Sequence, residues 1–293
     1  MKTYAYYPGC SLEAIAASYH VSAVEVAEAL DVRLTEIDDW NCCGATAYSA
    51  VDELLATVLS ARNLALAESA GRTDVVAPCS ACFKNLASAN AHMQDDADLM
   101  DHMNYALEED DLEYRGTVRV HHLMRMFVDE IGLEAISART SNPLEGLKVV
   151  PYYGCQIVRP RKSGQVLGDV EDPTFFEELL GAIGAEPVDF PLRLRCCGAS
   201  LIVTNRLAAL DMLRLLLEAA VASGADVIAT ACPLCQVNLE CYQAAVNHEF
   251  GTDFAVPIAY FTQLMGVAFG KAPKDLGIGR EIVELPEMLC RAR

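Results

Sequence analysis

Asp74-Val75-Val76-Ala77-Pro78-Cys79-Ser80-Ala81-Cys82 reads as a short apolar strand that runs straight into a Cys-x-x-Cys turn and a helix. Asp226-Val227-Ile228-Ala229-Thr230-Ala231-Cys232-Pro233-Leu234-Cys235 repeats it. Outward from these two stretches the other cysteines repeat as well. Cys42-Cys43-Gly44-Ala45 is answered by Cys196-Cys197-Gly198-Ala199, and Tyr6-Tyr7-Pro8-Gly9-Cys10 by Tyr152-Tyr153-Gly154-Cys155. The offsets are 145 residues at Cys10, 154 at Cys42 and 153 at Cys79, so the halves align with about nine extra residues ahead of Cys196. Ten of the twelve cysteines belong to this doubled array; Cys241 and Cys290 have no counterpart and read as incidental thiols. Duplication is the simplest account.

Each half alternates strand and helix patterns, which implies a parallel sheet with helices on its faces. In the first half the pattern predicts strands at 3–8, 32–37, 74–78 and 117–121, with helices near 13–30, 48–70, 81–94 and 121–132. In the second it predicts strands near 147–153, 186–190, 226–231 and 256–260, with helices near 173–184, 203–223, 235–248 and 261–269. The expected fold is therefore α/β: two similar tandem domains, each a small parallel sheet flanked by helices, related by internal duplication. Residues 1–140 form the first and 147–293 the second, joined at about 134–147, where Ser141-Asn142-Pro143-Leu144-Glu145-Gly146 has turn chemistry. Cys10, Cys79, Cys155 and Cys232 fall at C-terminal ends of predicted strands, the edge where parallel sheets bind ligands. The five thiols of a half can converge there.

The composition narrows the class. With 41 acidic against 22 basic residues, the net charge of −19 argues against nucleic-acid binding. Hydrophobic content of 53% is ample for a core in each half. Met1-Lys2-Thr3-Tyr4-Ala5-Tyr6-Tyr7 reads as a strand and not as a secretory leader, so a cytoplasmic location is expected. Cysteine clusters there are kept reduced and point to metal before disulfide. Phe254–Gly270 lacks a charged side chain but carries Pro257, Thr262 and Gln263, so a strand followed by a helix is expected and not a transmembrane segment. An apolar docking face is its alternative reading. The acidic stretch Asp95–Glu113 reads as a solvated loop or exposed helix.

Thiolates are the usual protein ligands of iron–sulfur clusters. The ten candidates are Cys10, Cys42, Cys43, Cys79, Cys82, Cys155, Cys196, Cys197, Cys232 and Cys235. Adjacent cysteines point apart, so Cys42-Cys43 suits a spread-out cluster or a bridging thiolate. Gly44 and Gly198 are expected to leave room for inorganic sulfide beside the backbone. Five ligands exceed by one what a four-iron cubane needs. Structural zinc on four of the five thiols is the competing reading, and disulfides are a third.

At these residues the chain resembles the cysteine-rich CCG-domain family, which includes the B subunits of heterodisulfide reductases. The doubled Cys…Cys-Cys-Gly…Cys-x-x-Cys array carries the resemblance from Tyr6 to about Gly270. Asp39-Trp40-Asn41-Cys42-Cys43-Gly44-Ala45, Cys232-Pro233-Leu234-Cys235-Gln236-Val237-Asn238-Leu239-Glu240 and Tyr260-Phe261-Thr262-Gln263-Leu264 support it. The resemblance implies a noncubane 4Fe–4S cluster on each five-cysteine set, two in all. It implies a mixed disulfide of the coenzyme M–coenzyme B type, bound between the clusters and split to two thiols. It also implies a small electron-transfer subunit with 4Fe–4S clusters and a flavoprotein subunit, through which the chain would meet a membrane. Related subunits in succinate dehydrogenase or fumarate reductase complexes imply the alternative, a quinone-linked electron-transfer module.

Such a disulfide is anionic, so cations near the cysteines are candidate contacts: Arg159, Arg161 and Lys162 after Cys155, Arg193 and Arg195 before Cys196, and, more weakly, Lys84. Surface charge or partner docking is the plainer reading. Gln156 could hydrogen-bond a cluster sulfur. His121-His122 could supply a proton, although adjacent histidines at a strand–helix junction commonly cap or pack.

Overall fold

The computed structural model describes residues 1–45, 47–158 and 169–291. The first sheet contains β1 (Lys2–Tyr6), β2 (Val32–Glu36), β3 (Asp74–Ala77) and β4 (Arg119–His122), in the order β2-β1-β3-β4. The second repeats it with β5 (Lys148–Tyr152), β6 (Glu186–Pro187), β7 (Val227–Thr230) and β8 (Ile258–Tyr260), in the order β6-β5-β7-β8. All pairings are parallel, with Val75 opposite Val120 and Ile228 opposite Ile258. The inner strand β7, Val227-Ile228-Ala229-Thr230, is buried throughout, as a strand covered on both faces must be. The tandem α/β architecture expected from the repeat is present.

Helices α1 (Ala17–Ala29), α2 (Ala47–Val51), α3 (Glu53–Ser69), α4 (Ser80–Asp95) and α5 (Ala97–Leu107) connect the first four strands. After β4 come α6 (Leu123–Arg125), a π-turn over Met126–Ile131 and α7 (Leu133–Arg139). The second half has α8 (Phe175–Ala182), α9 (Arg206–Ala222), α10 (Pro233–Cys241), α11 (Gln243–Phe250) and α12 (Phe261–Ala268). Several boundaries differ from the sequence pattern. The helix expected over 48–70 breaks at Asp52, whose backbone is extended and whose carboxylate accepts from Leu55 N at 3.0 Å. Asn205 caps α9 in the same way, accepting from Ala208 N. The strand expected over 186–190 shrinks to two residues, Glu186 and Pro187, beyond which Val188 N still donates to Val149 O. The acidic stretch holds the solvated helix α5, which buries only Met103 and Leu107.

Packing divides the chain differently from the repeat. One compact unit contains Met1–Cys10 and Asp31–Met126; the other contains Ser11–Leu30, Phe127–Cys155 and the chain from Thr174. Helix α1, encoded in the first repeat, therefore belongs to the second unit. There Tyr19 stacks on Tyr260 with centroids 4.2 Å apart, and its hydroxyl donates to Ala231 O at 3.1 Å. Ser22 and Thr262 share a buried hydrogen bond of 2.6 Å. This resolves the uncharged stretch: Phe254–Gly270 contains β8 and α12, and every residue of α12 is buried. Each large side chain sealed there contributes about 2–3 kcal/mol. Among the described residues no helix is long and apolar enough to cross a membrane.

Candidate metal centres

In the first sheet β1 and β3 are neighbours, and from them the chain departs in opposite directions, to β2 and to β4. Ligands of open parallel sheets bind at such a switch point. Cys10 follows β1 and Cys79 follows β3. Cys79 caps the N-terminus of α4, and Cys82 lies buried in its first turn. Helix N-termini favour negative sulfur. The Cys42-Cys43 turn brings Cys43 Sγ to 3.4 Å from Cys82 Sγ. Burial, then the charges of Cys82, Cys43, Cys42 and Cys10, push the Tyr7 phenol far above its ordinary range, so one ring senses four of the five thiols. Cys79 completes the set through its hydrogen bond to Cys82.

The second unit rebuilds this arrangement. Cys155 follows β5, Cys232 caps α10 with Pro233 behind it, and Cys197 Sγ lies 3.5 Å from Cys235 Sγ. Tyr152 stands where Tyr7 does, its phenol pushed up by burial and then by Cys235, Cys197, Cys155 and Cys196.

The donor set fits a cationic centre. Hydrogen bonds to Cys43 and Cys79, with burial, push Cys82 well above the ordinary thiol range. Cys43 is pulled well below it by hydrogen bonds from Cys42 and Cys82, against burial. The hydrogen bond to Cys196 outweighs that to Cys235 and, with burial, pushes Cys197 up to about 12. Five such groups become thiolates together only around positive charge, which iron or another soft cation supplies. The thiols form a string of contacting pairs; among the described residues no three His, Cys, Asp or Glu side chains are grouped as a single ion would need.

The backbone makes room for this string at glycines other than those expected. A Cβ on Gly9 would lie 3.0 Å from Cys82 Sγ, and one on Gly154 would lie 3.1 Å from Cys235 Sγ, both at positive φ (+72° and +70°). Gly44 and Gly198 instead face helix backbone, at 3.2 Å from Ala56 Cα and 3.1 Å from Ala209 Cα. The space expected for sulfide at Gly44 and Gly198 is thus helix packing, and the cradle beside sulfur belongs to Gly9 and Gly154. Sequence reasoning assigns no role to these glycines or to Tyr7 and Tyr152, although the repeated Tyr-x-Gly-Cys text contains the signal.

The remaining candidates are placed as follows. Arg159, Arg161 and Lys162 lie outside the described residues. Arg195 is exposed beside Cys196, and Gln156 is half-buried beside Cys155. Arg193 Nε lies 3.6 Å from Glu177 Oε1, so part of its charge is already met. Lys84 lies with Ser88 and His92 along one face of α4 in an open pocket of about 270 Å³. His121 pairs with Asp74 at 2.9 Å. His122 is buried: its Nδ1 accepts from Met124 N, and its Nε2 lies 3.2 Å from Ser80 Oγ, the capping and packing role. Cys241 and Cys290 stand apart as exposed thiols.

Fold and site together define a duplicated α/β protein that gathers five thiols at the sheet edge of each unit. The cysteine-rich domain model of the CCG family matches residues 4–87 and again 149–240. The chain belongs to this cysteine-rich CCG-domain family. It is 35% identical over 265 residues to the B subunit of the ferredoxin:CoB–CoM heterodisulfide reductase from Methanosarcina mazei, covering 89% of this chain and 87% of that protein. It is 34% identical over 289 residues to the 8-methylmenaquinol:fumarate reductase membrane anchor subunit of Wolinella succinogenes, covering 98% and 99%. A hypothetical protein from Helicobacter pylori shares the fold, with a TM-score of 0.77 at 15% identity over 98% of this chain and 53% of that one. Family membership supports an iron–sulfur role in electron transfer, within an oxidoreductase.

Proposed function

We propose that the chain is the iron–sulfur subunit of a heterodisulfide reductase-type complex and reduces a mixed disulfide to two thiols. Cys10, Cys42, Cys43, Cys79 and Cys82 would hold one noncubane 4Fe–4S cluster; Cys155, Cys196, Cys197, Cys232 and Cys235 would hold the second. One observation carries the reading: the five-thiol set is built twice from the same elements, down to the glycine beside each Cys-x-x-Cys sulfur. When bound, each cluster supplies one-electron chemistry, and the pair matches R–S–S–R′ + 2e⁻ + 2H⁺ → RSH + R′SH. The protein's own contribution is to place Cys79, Cys82, Cys232 and Cys235 at helix N-termini and to turn backbone N–H groups toward Cys42 and Cys196. Gly198 N lies 3.3 Å from Cys196 Sγ, and Gly44 N–H makes the matching bond to Cys42. Arg195 and Gln156, with Arg193, Arg159 and Lys162, are the candidate contacts for an anionic disulfide of the coenzyme M–coenzyme B type. The electron donors would be a small subunit with 4Fe–4S clusters and a flavoprotein. The complex would be cytoplasmic, held at the membrane only through its partners.

Near-full-length similarity to the fumarate reductase subunit favours a second reading, in which the same centres serve a quinone-linked oxidoreductase. The purified complex decides between them. Two four-iron clusters give about eight irons and eight acid-labile sulfides per chain; zinc in their place refutes both readings. Thiol release from the coenzyme M–coenzyme B disulfide supports the first. Turnover with quinone and no thiol release refutes it.

A further inference from the structure

Each Cys-Cys turn is held at both ends by side chains that recur in the two halves. At the leading end, Tyr7 Oη donates to Asn41 O at 2.7 Å and Tyr152 Oη donates to Arg195 O at 2.6 Å; these are the carbonyls just before Cys42 and Cys196. At the trailing end, Asn85 Nδ2 donates to Cys43 O at 3.1 Å and Asn238 Nδ2 to Cys197 O at 2.6 Å. Each asparagine lies three residues after the last cysteine of its Cys-x-x-Cys, at 9% and 2% exposure.

The trailing bond reaches sulfur through one peptide plane. In a trans peptide C=O and N–H point in opposite directions. With Cys197 O fixed on Asn238, the N–H of Gly198 in that same plane is aimed away from the asparagine, at Cys196 Sγ 3.3 Å distant. Asn85, Cys43 O, Gly44 N–H and Cys42 form the same relay in the first unit. A donor on the carbonyl also polarises the N–H at the other end of the plane. N–H···S bonds favour the more negative state of an iron–sulfur centre and so raise its potential.

We infer that Asn85 and Asn238, backed by Tyr7 and Tyr152, are positioning residues that aim the Gly44 and Gly198 N–H groups at the ligand sulfurs and thereby set the reduction potential of each centre. This rests on the iron–sulfur reading above. The halves are unequal at the trailing carbonyl. Ser60 Oγ also donates to Cys43 O at 3.1 Å, whereas Leu213 occupies the matching position of the second unit. Among the described residues Cys43 O thus has two side-chain donors where Cys197 O has one.

The test is a redox titration of the intact complex followed by electron paramagnetic resonance, with iron counted on the same samples. Asn238→Leu is expected to lower the potential of one centre by about 59 mV, tenfold in a one-electron equilibrium, and to leave the other unmoved. Asn85→Leu is expected to do less, and Asn85→Leu with Ser60→Ala to match Asn238→Leu. Tyr7→Phe and Tyr152→Phe, which keep the ring, are expected to speed iron loss to a chelator several-fold from one centre each. Ser60→Ala is the mildest variant and is expected to lower the first centre's potential by less than about 59 mV, under tenfold in the one-electron equilibrium; it keeps the test alive should a leucine variant not fold. Full iron with unmoved potentials, or equal shifts in both centres, would overturn the proposal alone. A wild-type protein without iron and sulfide would overturn the functional reading along with it.

Discussion

Gly9→Ala tests the cradle most directly, because the structure supplies its own control. At Gly9 the new methyl carbon would meet Cys82 Sγ at 3.0 Å and the Tyr7 ring at 3.4 Å. At Gly71, with nearly the same φ (+70° against +72°), nothing lies within 4 Å. Both substitutions carry the backbone cost of an L-residue in the left-handed region, about 1–2 kcal/mol. Only Gly9→Ala must also displace a sulfur or a buried ring. On the iron–sulfur reading proposed above Cys82 is a ligand and cannot yield, so the overlap is relieved by loss of the first centre. The expected result is about half of wild-type iron and sulfide for Gly9→Ala, since one of two clusters goes. Gly71→Ala should keep full iron and melt only a few degrees lower. Gly154→Ala and Gly224→Ala form the matching pair in the second unit, at 3.1 Å from Cys235 Sγ and in open space respectively. The reasoning fails if Gly9→Ala retains full iron with an unchanged spectrum, or if Gly71→Ala loses iron to the same extent.

Other consequences are as direct. Cys43→Ser and Cys197→Ser should each remove one centre, whereas Cys241→Ser and Cys290→Ser, at thiols outside both strings, should leave the iron count unchanged. Tyr19→Ala lies in the first repeat but should destabilise the second unit by about 3–5 kcal/mol; hydrogen exchange is expected to quicken in α12 and not in β3, and the reverse order would refute the assignment of α1. Burial pushes the Asp74 carboxyl up, but hydrogen bonds from His121 and Thr73 and the charge of Arg119 outweigh it and hold the group below its ordinary value. Such a depressed carboxylate contributes stability above its unfolded pKa of about 3.9 and loses it as pH falls through the folded value. Asp74→Asn should therefore lower stability near pH 6 and flatten its acid dependence below about pH 4, read by denaturant unfolding across pH.

The cysteine array makes the fold readable. Strands that each deliver a cysteine at the C-terminal end point to one edge of a parallel sheet, so Cys79 and Cys232 mark the candidate site in the sequence alone. The helix break at Asp52 is hidden because the residues on both sides keep helical composition, and only the side-chain bond to Leu55 N ends one helix and starts the next. The transfer of α1 to the second unit is hidden for a different reason. A helix's apolar face shows that it packs, not on what, and the Tyr19–Tyr260 stack joins residues 241 positions apart. The glycines mislead because sequence shows adjacency to cysteine and not the direction of a missing Cβ. Gly44 is next to Cys43 but faces Ala56, while Gly9 faces Cys82, seventy-three residues on. The asparagines are legible in principle, since Cys-x-x-Cys-x-x-Asn is written twice, but their partner carbonyls are not.

On the iron–sulfur reading, duplication with small departures also orders the two proposed centres. Cys10 and Cys42 are exposed, whereas their counterparts Cys155 and Cys196 are half-buried. Water around a ligand stabilises the extra negative charge of a reduced centre, and burial opposes it. The second donor on Cys43 O, from Ser60, acts in the same direction and has no equivalent at Leu213. Both differences raise the first centre relative to the second, and neither changes a ligand. Two resolved potentials are therefore expected, with the higher belonging to Cys10, Cys42, Cys43, Cys79 and Cys82. Gly9→Ala makes the assignment, because it should erase the high-potential signal and spare the low one. If it erases the low-potential signal, exposure and the Ser60 bond do not govern these centres, and the asymmetry must come from charge elsewhere in the assembled complex.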